Sequence, residues 1–469
     1  MNRNAHINTI PNIILIVCCS IICVAIYRFY SKAGFFGGHS LIIINSLLLF
    51  FLASFVPIFL SFKVKITAIT SILSAVLALY LFDFYVFSRN GFILDEITSI
   101  EREILESRQK NVLGFTRDIK VSRERAKGNS AYMFMAPEIG NAKTPLEVNK
   151  KMIYPLTGIA SQRVYFCAEC EGLINYTSDR FGFRNSDSLW ENPNITHLAV
   201  GDSFTQGACV SSQMTIAGIV RNKFPGTINL GVSGSGPLSQ LATLREYASH
   251  KKPKTVLWFF FFNDLPNLKT ESRAPVLKNY LNTDFRQNLM GLNTSLNRAL
   301  IERHDQYLDQ LNKKRAADKK VRKGNVQLLP KTTFRLMDFV LMRHLRYELD
   351  LIVGEQKLAG QNLDHFANVL GQAKKVVESW GGRMVFVYLP GLEEVYAERT
   401  GKGDFLYLRS SLLRAVKEME IAHIDTTQVF AGIPVDKLSS IFCGHYTRLG
   451  TQKIGSYLVD WLSKNPAAK

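Results

Sequence analysis

The chain has 469 residues, 47% of them hydrophobic, and a formal net charge of +18. That apolar share is ordinary for folded protein, and the length beyond the N-terminal apolar runs holds one large or two small domains. Much of the positive charge lies in one stretch, Asn312 to Lys331, NKKRAADKKVRKGNVQLLPK. It has no recognition motif and no interleaved aromatics, so no nucleic-acid partner is expected. It reads either as a solvated helical insertion or as a contact for anionic lipid headgroups or an acidic polysaccharide.

Three apolar runs open the chain: Ile13 to Tyr27, Leu41 to Phe62 and Ile66 to Phe87. The second and third reach the length that crosses a bilayer, and the first does so when extended through Tyr30. A cleaved signal peptide would account for the first run alone, and no small-residue cleavage site follows it. The expectation is three transmembrane helices forming an anchor over residues 1–90, with the lipid bilayer as a partner. Flanking charges are nearly balanced: Arg3, Lys63 and Lys65 on one side, Arg28, Lys32 and Arg89 on the other. Beyond the anchor, Ile93, Ile97, Ile100 and Ile104 recur at helical spacing among acidic residues. They predict an amphipathic juxtamembrane helix leading into a mixed connector over 91–155.

The chain has seven cysteines. Cys18, Cys19 and Cys23 fall in the first apolar run and Cys209 in an apolar setting, where burial explains them. Cys167 and Cys170 form a CxxC without the second ligand pair that zinc requires. A short Cys167–Cys170 disulfide in an oxidising compartment is expected, with two free thiols as the alternative. The disulfide favours an outward-facing domain. No metal and no cofactor is expected.

From here the pattern alternates between short apolar runs and helical segments. The runs are Ile195 to Val200, Thr227 to Val232, Thr255 to Phe262, Arg383 to Leu389 and Ala422 to Asp425. Continuous apolarity marks strands buried on both faces, and the alternation predicts a parallel sheet covered by helices on each side. Ligands of such sheets collect at the carboxyl ends of the strands.

Reactive residues stand at those ends. The first run stops at Gly201-Asp202-Ser203, where a helix N-terminus begins and unpaired N–H groups favour negative charge. Alone, such a tripeptide is more often a capping turn. The second run enters NLGVSGSG, whose Gly234 lets a backbone N–H approach a substrate oxygen; the spacing is not that of a phosphate loop. The third ends FFFFNDLPN, placing the Asn263 carboxamide at its tip. His445, in FCGHY after the fifth run, is a candidate general base for Ser203.

These blocks resemble the SGNH (GDSL-type) hydrolase family. GDSFTQG is similar to its first block, NLGVSG to its second, FND (Phe262 to Asp264) to its third and GHYTRLG to its last. YTSDRFGFRN, Tyr176 to Asn185, looks like a segment often found ahead of the first block in bacterial members. The resemblance spans about 156–465 and implies a three-layer α/β/α sandwich with a parallel five-stranded sheet. The domain would cover 156–469, with a basic helical insertion at about 266–370. It implies Ser203 as nucleophile, His445 as base, and an oxyanion hole of Ser203, Gly234 and Asn263. The expected activity is that of a serine esterase or O-acyltransferase working through an acyl-enzyme. The expected substrates are O-acyl groups of cell-envelope or exported polysaccharide, and a membrane lipid ester is the competing substrate. A catalytically inactive carbohydrate-binding or assembly protein is the reading from another class. The expected location is a bacterial inner membrane, with the domain periplasmic or extracellular.

Two positions depart from the pattern. The aspartate that the family carries two or three residues before the histidine is replaced by Cys443 and Phe442. Asp425 and Asp436 are the nearest carboxylates in sequence to stand in for it. The third block has Phe261 and Phe262 where a glycine usually precedes the asparagine.

Overall fold

A strand packed between two helical layers must be apolar at successive positions, and the five runs behave accordingly. A computed structural model describes residues 61–86, 117–127, 130–133, 145–169, 172–318, 363–400 and 405–467. The runs form β1 (His197–Val200), β2 (Thr227–Asn229), β3 (Thr255–Phe260), β4 (Arg383–Tyr388) and β5 (Ala422–Asp425). Every neighbouring pair is parallel, in the order β5-β4-β3-β1-β2. Leu230 to Val232 and Phe261 to Phe262, expected within strands, leave the sheet to form the loops that carry chemistry.

Alternation along β3 shows how the two faces are built. Val256, Trp258 and Phe260 join one core with Leu238 and Leu241 of helix Pro237–Thr243 and with Val369 and Val377 of the helix over 363–378. Leu257 and Phe259 join the other, with Ile216 and Val220 of helix Ile216–Lys223 and Ile454 and Leu458 of helix Arg448–Lys464. The two helices on that second face approach closely. A Cβ added at buried Gly455 would stand 2.8 Å from the Ile219 side chain. Between β3 and β4 the described residues include helices Asp264–Glu271, Pro275–Asn279 and Asn293–Asp318. The basic stretch beyond Asp318 lies outside the described residues.

Ahead of the main sheet, Arg163–Glu169 and Gly172–Thr177 form an antiparallel hairpin, extended by Tyr132–Met133 in parallel. This hairpin corrects the expected disulfide. Cys167 lies within a strand, and a disulfide requires the two Cα atoms to stand about 4.4–6.8 Å apart. Its partner is Cys209, with the Cα atoms 5.0 Å apart. Cys443 is disulfide-bonded as well. Cys170 lies outside the described residues.

Of the expected spans, Ile13 to Tyr27 and nearly all of Leu41 to Phe62 lie outside the described residues, as does the helix expected over Ile93 to Ile104. The third run is a helix, Phe62–Val86, of 25 residues. Its Leu77, Leu81, Phe82 and Tyr85 are exposed. No membrane span is established among the described residues. This helix and the domain from Arg117 onward belong to separate compact units.

The core on the first face sets a stability expectation. Phe386 is fully buried in β4 and packs 5.7 Å, ring to ring, from Phe260 and 6.3 Å from Phe366. Phe386→Ala should cost about 3–5 kcal/mol, read as a lowered urea midpoint with an unchanged slope.

Candidate active site

The nucleophile turn is built by a buried carboxylate. At the end of β1 the one-turn helix Ser203–Gln206 begins, and Asp202 caps it by accepting the Phe204 N–H at 2.9 Å. Gly201 must be glycine, because a Cβ there would lie 2.1 Å from Thr205 Oγ1. Ser203 is itself 5% exposed, so its hydroxyl sits in a recess. As the first residue of a helix, it also leaves its N–H without an intrahelical partner.

His445 meets it from the far end of the chain. Its Nε2 lies 2.9 Å from Ser203 Oγ, within hydrogen-bond reach across 242 residues of sequence. The imidazole sits in the short hairpin of Phe442–Cys443 and His445–Tyr446. Tyr446 anchors that hairpin by donating its hydroxyl to the Pro390 carbonyl at 2.7 Å. Thr447 then caps helix Arg448–Lys464, which packs on the helix that follows the nucleophile turn.

The second and third blocks close on Ser203 from either side. The loop after β2 is tied to both ends of the nucleophile turn. Val232 N–H and Ser235 Oγ both donate to the Gly201 carbonyl, at 3.0 and 2.9 Å, and Ser233 N–H donates to Gln206 Oε1 at 2.6 Å. Gly234 stands in this loop with φ +78, a conformation that glycine adopts without strain. Across the turn, Asn263 Nδ2 donates to Asp202 Oδ2 at 3.0 Å, which sets the carboxamide beside the nucleophile with a second N–H to spare. The structure thus gathers Ser203, Gly234, Asn263 and His445 at the carboxyl edge of the sheet.

The Phe261 and Phe262 departure has a packing role. Phe261 stacks on Phe204 with ring centroids 3.9 Å apart, and Phe204 in turn packs 4.9 Å from the His445 ring. Phe261 therefore forms a floor under Phe204, while Phe262 stays exposed at the rim.

The segment ahead of the first block has a physical task that sequence reasoning left unassigned. Arg184 is 4% exposed, and burial pushes its guanidinium down to about 10. It donates to the carbonyls of Gly207 at 2.5 Å and Val210 at 2.7 Å, and its plane lies 4.9 Å from the Tyr176 ring. These carbonyls follow the one-turn helix, whose C-terminal groups lack helical partners. Asn185 holds β2 in the same way, giving Nδ2–H to the Asn229 carbonyl at 2.8 Å and accepting the Asn229 N–H at 2.9 Å. Asp179 organises the segment by accepting from Phe181, Phe183, Asn185 and Trp190.

Of the two carboxylates nearest in sequence, Asp425 is held elsewhere. Asp425 is committed to the Thr427 N–H at 3.0 Å and to Arg409 at 3.6 Å. The Asp436 side chain lies outside the described ones. Among the described residues Asp202 interacts electrostatically with His445, whose charge acts to lower the Asp202 carboxyl. Burial raises Asp202, with the Asn263 and Phe204 hydrogen bonds acting against the rise. Asp264, buried behind it, is raised further by burial and by the neighbouring Asp202 charge. Among the described residues no cluster of His, Cys, Asp and Glu could hold a metal ion.

No family model matches the chain, and no curated protein is similar to it. Solved structures with some likeness include a protein from Desulfitobacterium hafniense assigned to a lipolytic G-D-S-L family, at 12% identity and TM-score 0.30, covering 57% of this chain and 99% of that one. The psychrotrophic esterase EstA from Pseudoalteromonas sp. is similar at 11% and 0.28, covering 58% and 97%. A variant of Axe2, an acetyl-xylooligosaccharide esterase from Geobacillus Stearmophilus, is similar at 12% and 0.31, covering 59% and 99%. At these scores the likenesses bear no weight, and the functional reading rests on the geometry above.

Two expectations follow from the support of the nucleophile loop. Arg184→Met should destabilise the domain by about 3 kcal/mol or more, because it leaves two carbonyls buried without donors. Chemical denaturation measures this. Glu271, 1% exposed, accepts the Gly236 N–H at 2.7 Å and the Leu238 N–H at 2.9 Å, and burial pushes its carboxyl up to about 7 from 4.5. The folded state then holds a proton that the unfolded chain has released. Stability should therefore fall as pH rises from about 4.5 to 7, by at most about 3 kcal/mol from this group. Glu394 moves in the same direction. Melting curves of Glu271→Gln against pH should show a shallower fall across that window than the unaltered chain.

Proposed function

We propose that this chain is a serine hydrolase of esters, with Ser203 as nucleophile and His445 as general base. The observation that carries the reading is the 2.9 Å contact between His445 Nε2 and Ser203 Oγ, made at a helix N-terminus and beside the Asn263 carboxamide. A binding protein that had merely kept the fold would have no reason to hold this pair in register. The inactive alternative is therefore the weaker reading.

The steps follow from the geometry. Ser203 Oγ attacks the ester carbonyl carbon while its proton passes to His445 Nε2. The oxygen that becomes negative is met by the N–H groups of Ser203 and Gly234 and by Asn263 Nδ2, donors aimed before the charge forms. Collapse expels the alcohol, which takes the proton from His445, and leaves an acyl-enzyme. Water then releases the acid, or a sugar hydroxyl accepts the acyl group; in either case His445 takes the incoming proton.

The substrate we propose is an O-acetyl or similar small acyl ester on envelope or exported polysaccharide, with a membrane lipid ester as the competing class. Apolar N-terminal runs support a membrane-bound protein, and the exposed apolar side chains of helix Phe62–Val86 agree with it. The Cys167–Cys209 bond supports a domain on the oxidising side of that membrane.

Ser203→Ala should lower turnover of a simple aryl acetate by a factor on the order of 10^4 to 10^6 and abolish labelling by a fluorophosphonate. Its melting temperature should stay within a few degrees of the parent. Wild-type turnover in the alanine variant would overturn the assignment.

A further inference from the structure

The turn that carries Asn263 also brings an aromatic ring to the surface beside it. Asp264 N–H closes the turn on the Phe261 carbonyl at 2.9 Å, and Asp264 Oδ2 accepts the Phe261 N–H at 3.2 Å. Phe262 and Asn263 are therefore the two central residues of a turn locked at both ends. Asn263 is drawn inward by Asp202, while Phe262 is 45% exposed. Among the described side chains from Arg117 onward, the large apolar residues left exposed are Met152, Phe262 and Leu449, and Phe262 is the aromatic one. A single exposed apolar residue is ordinary on a protein surface, so it is the setting of this ring that distinguishes it.

Phe262 ends a row of rings that starts at His445. Centroids lie 4.9 Å apart between His445 and Phe204, 3.9 Å between Phe204 and Phe261, and 4.6 Å between Phe261 and Phe262. One edge of the outermost ring rests on the loop after β4, where Phe262 Cε1 lies 3.4 Å from the point that a Cβ on Gly391 would occupy. That loop is held firmly. Gly391 N–H donates to Glu394 Oε2 at 2.5 Å, Tyr388 donates its hydroxyl to the other Glu394 oxygen, and the Pro390 carbonyl accepts the Tyr446 hydroxyl at 2.7 Å. Tyr446 belongs to the hairpin of His445. The exposed ring thus stands on the side of the site from which the imidazole enters.

The reaction gives that side a meaning. His445 delivers its proton to the departing alcohol, so the alcohol part of the ester lies toward the imidazole. A carboxylate stands with the ring there, since Glu393 Oε2 lies 3.3 Å from the same point at Gly391. A flat ring beside a hydrogen-bond acceptor suits a pyranose, whose C–H groups pack on the negative face of an aromatic and whose hydroxyls donate to carboxylate oxygens. It suits an acyl chain poorly, because the carboxylate would lose water without gaining a partner.

We propose that Phe262 is a specificity-determining residue that stacks on the sugar ring bearing the ester, so that the leaving alcohol preferred by this site is a pyranose. This rests on the assignment of Ser203 and His445 above and chooses between the two substrate classes named there. The acyl carbonyl is read in the recess of Ser203, and the alcohol is read outside it by Phe262.

Full-length parent, Phe262→Ala and Phe262→Trp are compared on two esters with the same acyl group, a monoacetylated methyl pyranoside and ethyl acetate. The quantity read is kcat/KM for the sugar acetate divided by kcat/KM for ethyl acetate. Phe262→Ala should lower this ratio about 10-fold, the order expected from one stacked ring, and Phe262→Trp should return it to the parent value or above. A second pair, the acetate and octanoate of one alcohol, reports on the acyl side, and Phe262→Ala should hold that ratio within about twofold of the parent's. An exposed ring is not needed for folding, so the three proteins should melt within a few degrees of one another.

The proposal is overturned if the sugar ratio survives the alanine, if tryptophan fails to restore it, or if the acetate-to-octanoate ratio moves instead. A parent that cleaves ethyl acetate but not the sugar acetate also overturns it, and leaves the hydrolase reading standing. A parent that cleaves no ester and takes no fluorophosphonate at Ser203 defeats that reading itself.

Discussion

A single buried carboxylate at the end of β1 holds the chemistry together. Asp202 has one oxygen on the Phe204 N–H, fixing where the helix starts, and the other on Asn263 Nδ2, fixing the carboxamide. An ion in a low-dielectric setting persists only if both oxygens are satisfied, so each hydrogen bond is needed for the other to last. Asp264 is buried behind it, and its carboxyl is raised by burial and by the neighbouring Asp202 charge. The serine is consequently held in position by electrostatics as much as by packing.

Around that point the fold works as a set of clamps on short, irregular loops. The ends of β1, β2 and β3 lie side by side in the sheet, so their loops meet without any long-range search. The loops themselves make few regular hydrogen bonds, and polar side chains replace them. Gln206 reaches the Ser233 N–H, Asn229 Nδ2 reaches the Thr205 carbonyl and Arg184 gathers the carbonyls after the nucleophile helix. A Cβ at Gly231 would fall 2.5 Å from the Gln206 nitrogen, which shows how closely two of these loops are pressed together.

Much of this was legible in the sequence, for a physical reason. Strands buried on both faces announce themselves as unbroken apolar runs, so β1 to β5 could be marked from residues such as Thr255–Phe260 and Arg383–Tyr388 alone. The reactive residues were legible because they sit just where those runs stop. Pairings between distant loops were not. Cys167 bridges to Cys209 across 42 residues rather than to its CxxC neighbour, and nothing in local spacing distinguishes the two. The hairpin around Cys167 was missed too, because RVYFCAE mixes charge and apolarity without clean alternation and carries a register shift. Arg184 shows the same limit: a lone arginine in a polar motif gives no sign that it is buried against carbonyls further along the chain.

The order of these parts along the polypeptide has a temporal meaning. β1, the glycine loop, Asn263 and the sulfur bridge all precede β4, whereas the imidazole comes from the closing hairpin and docks only when helix Arg448–Lys464 settles on helix Ile216–Lys223. In a chain made from its N-terminus, Ser203 and the loops around it therefore emerge well before the histidine. The last segment to arrive is the one that brings His445 within 2.9 Å of the Ser203 hydroxyl.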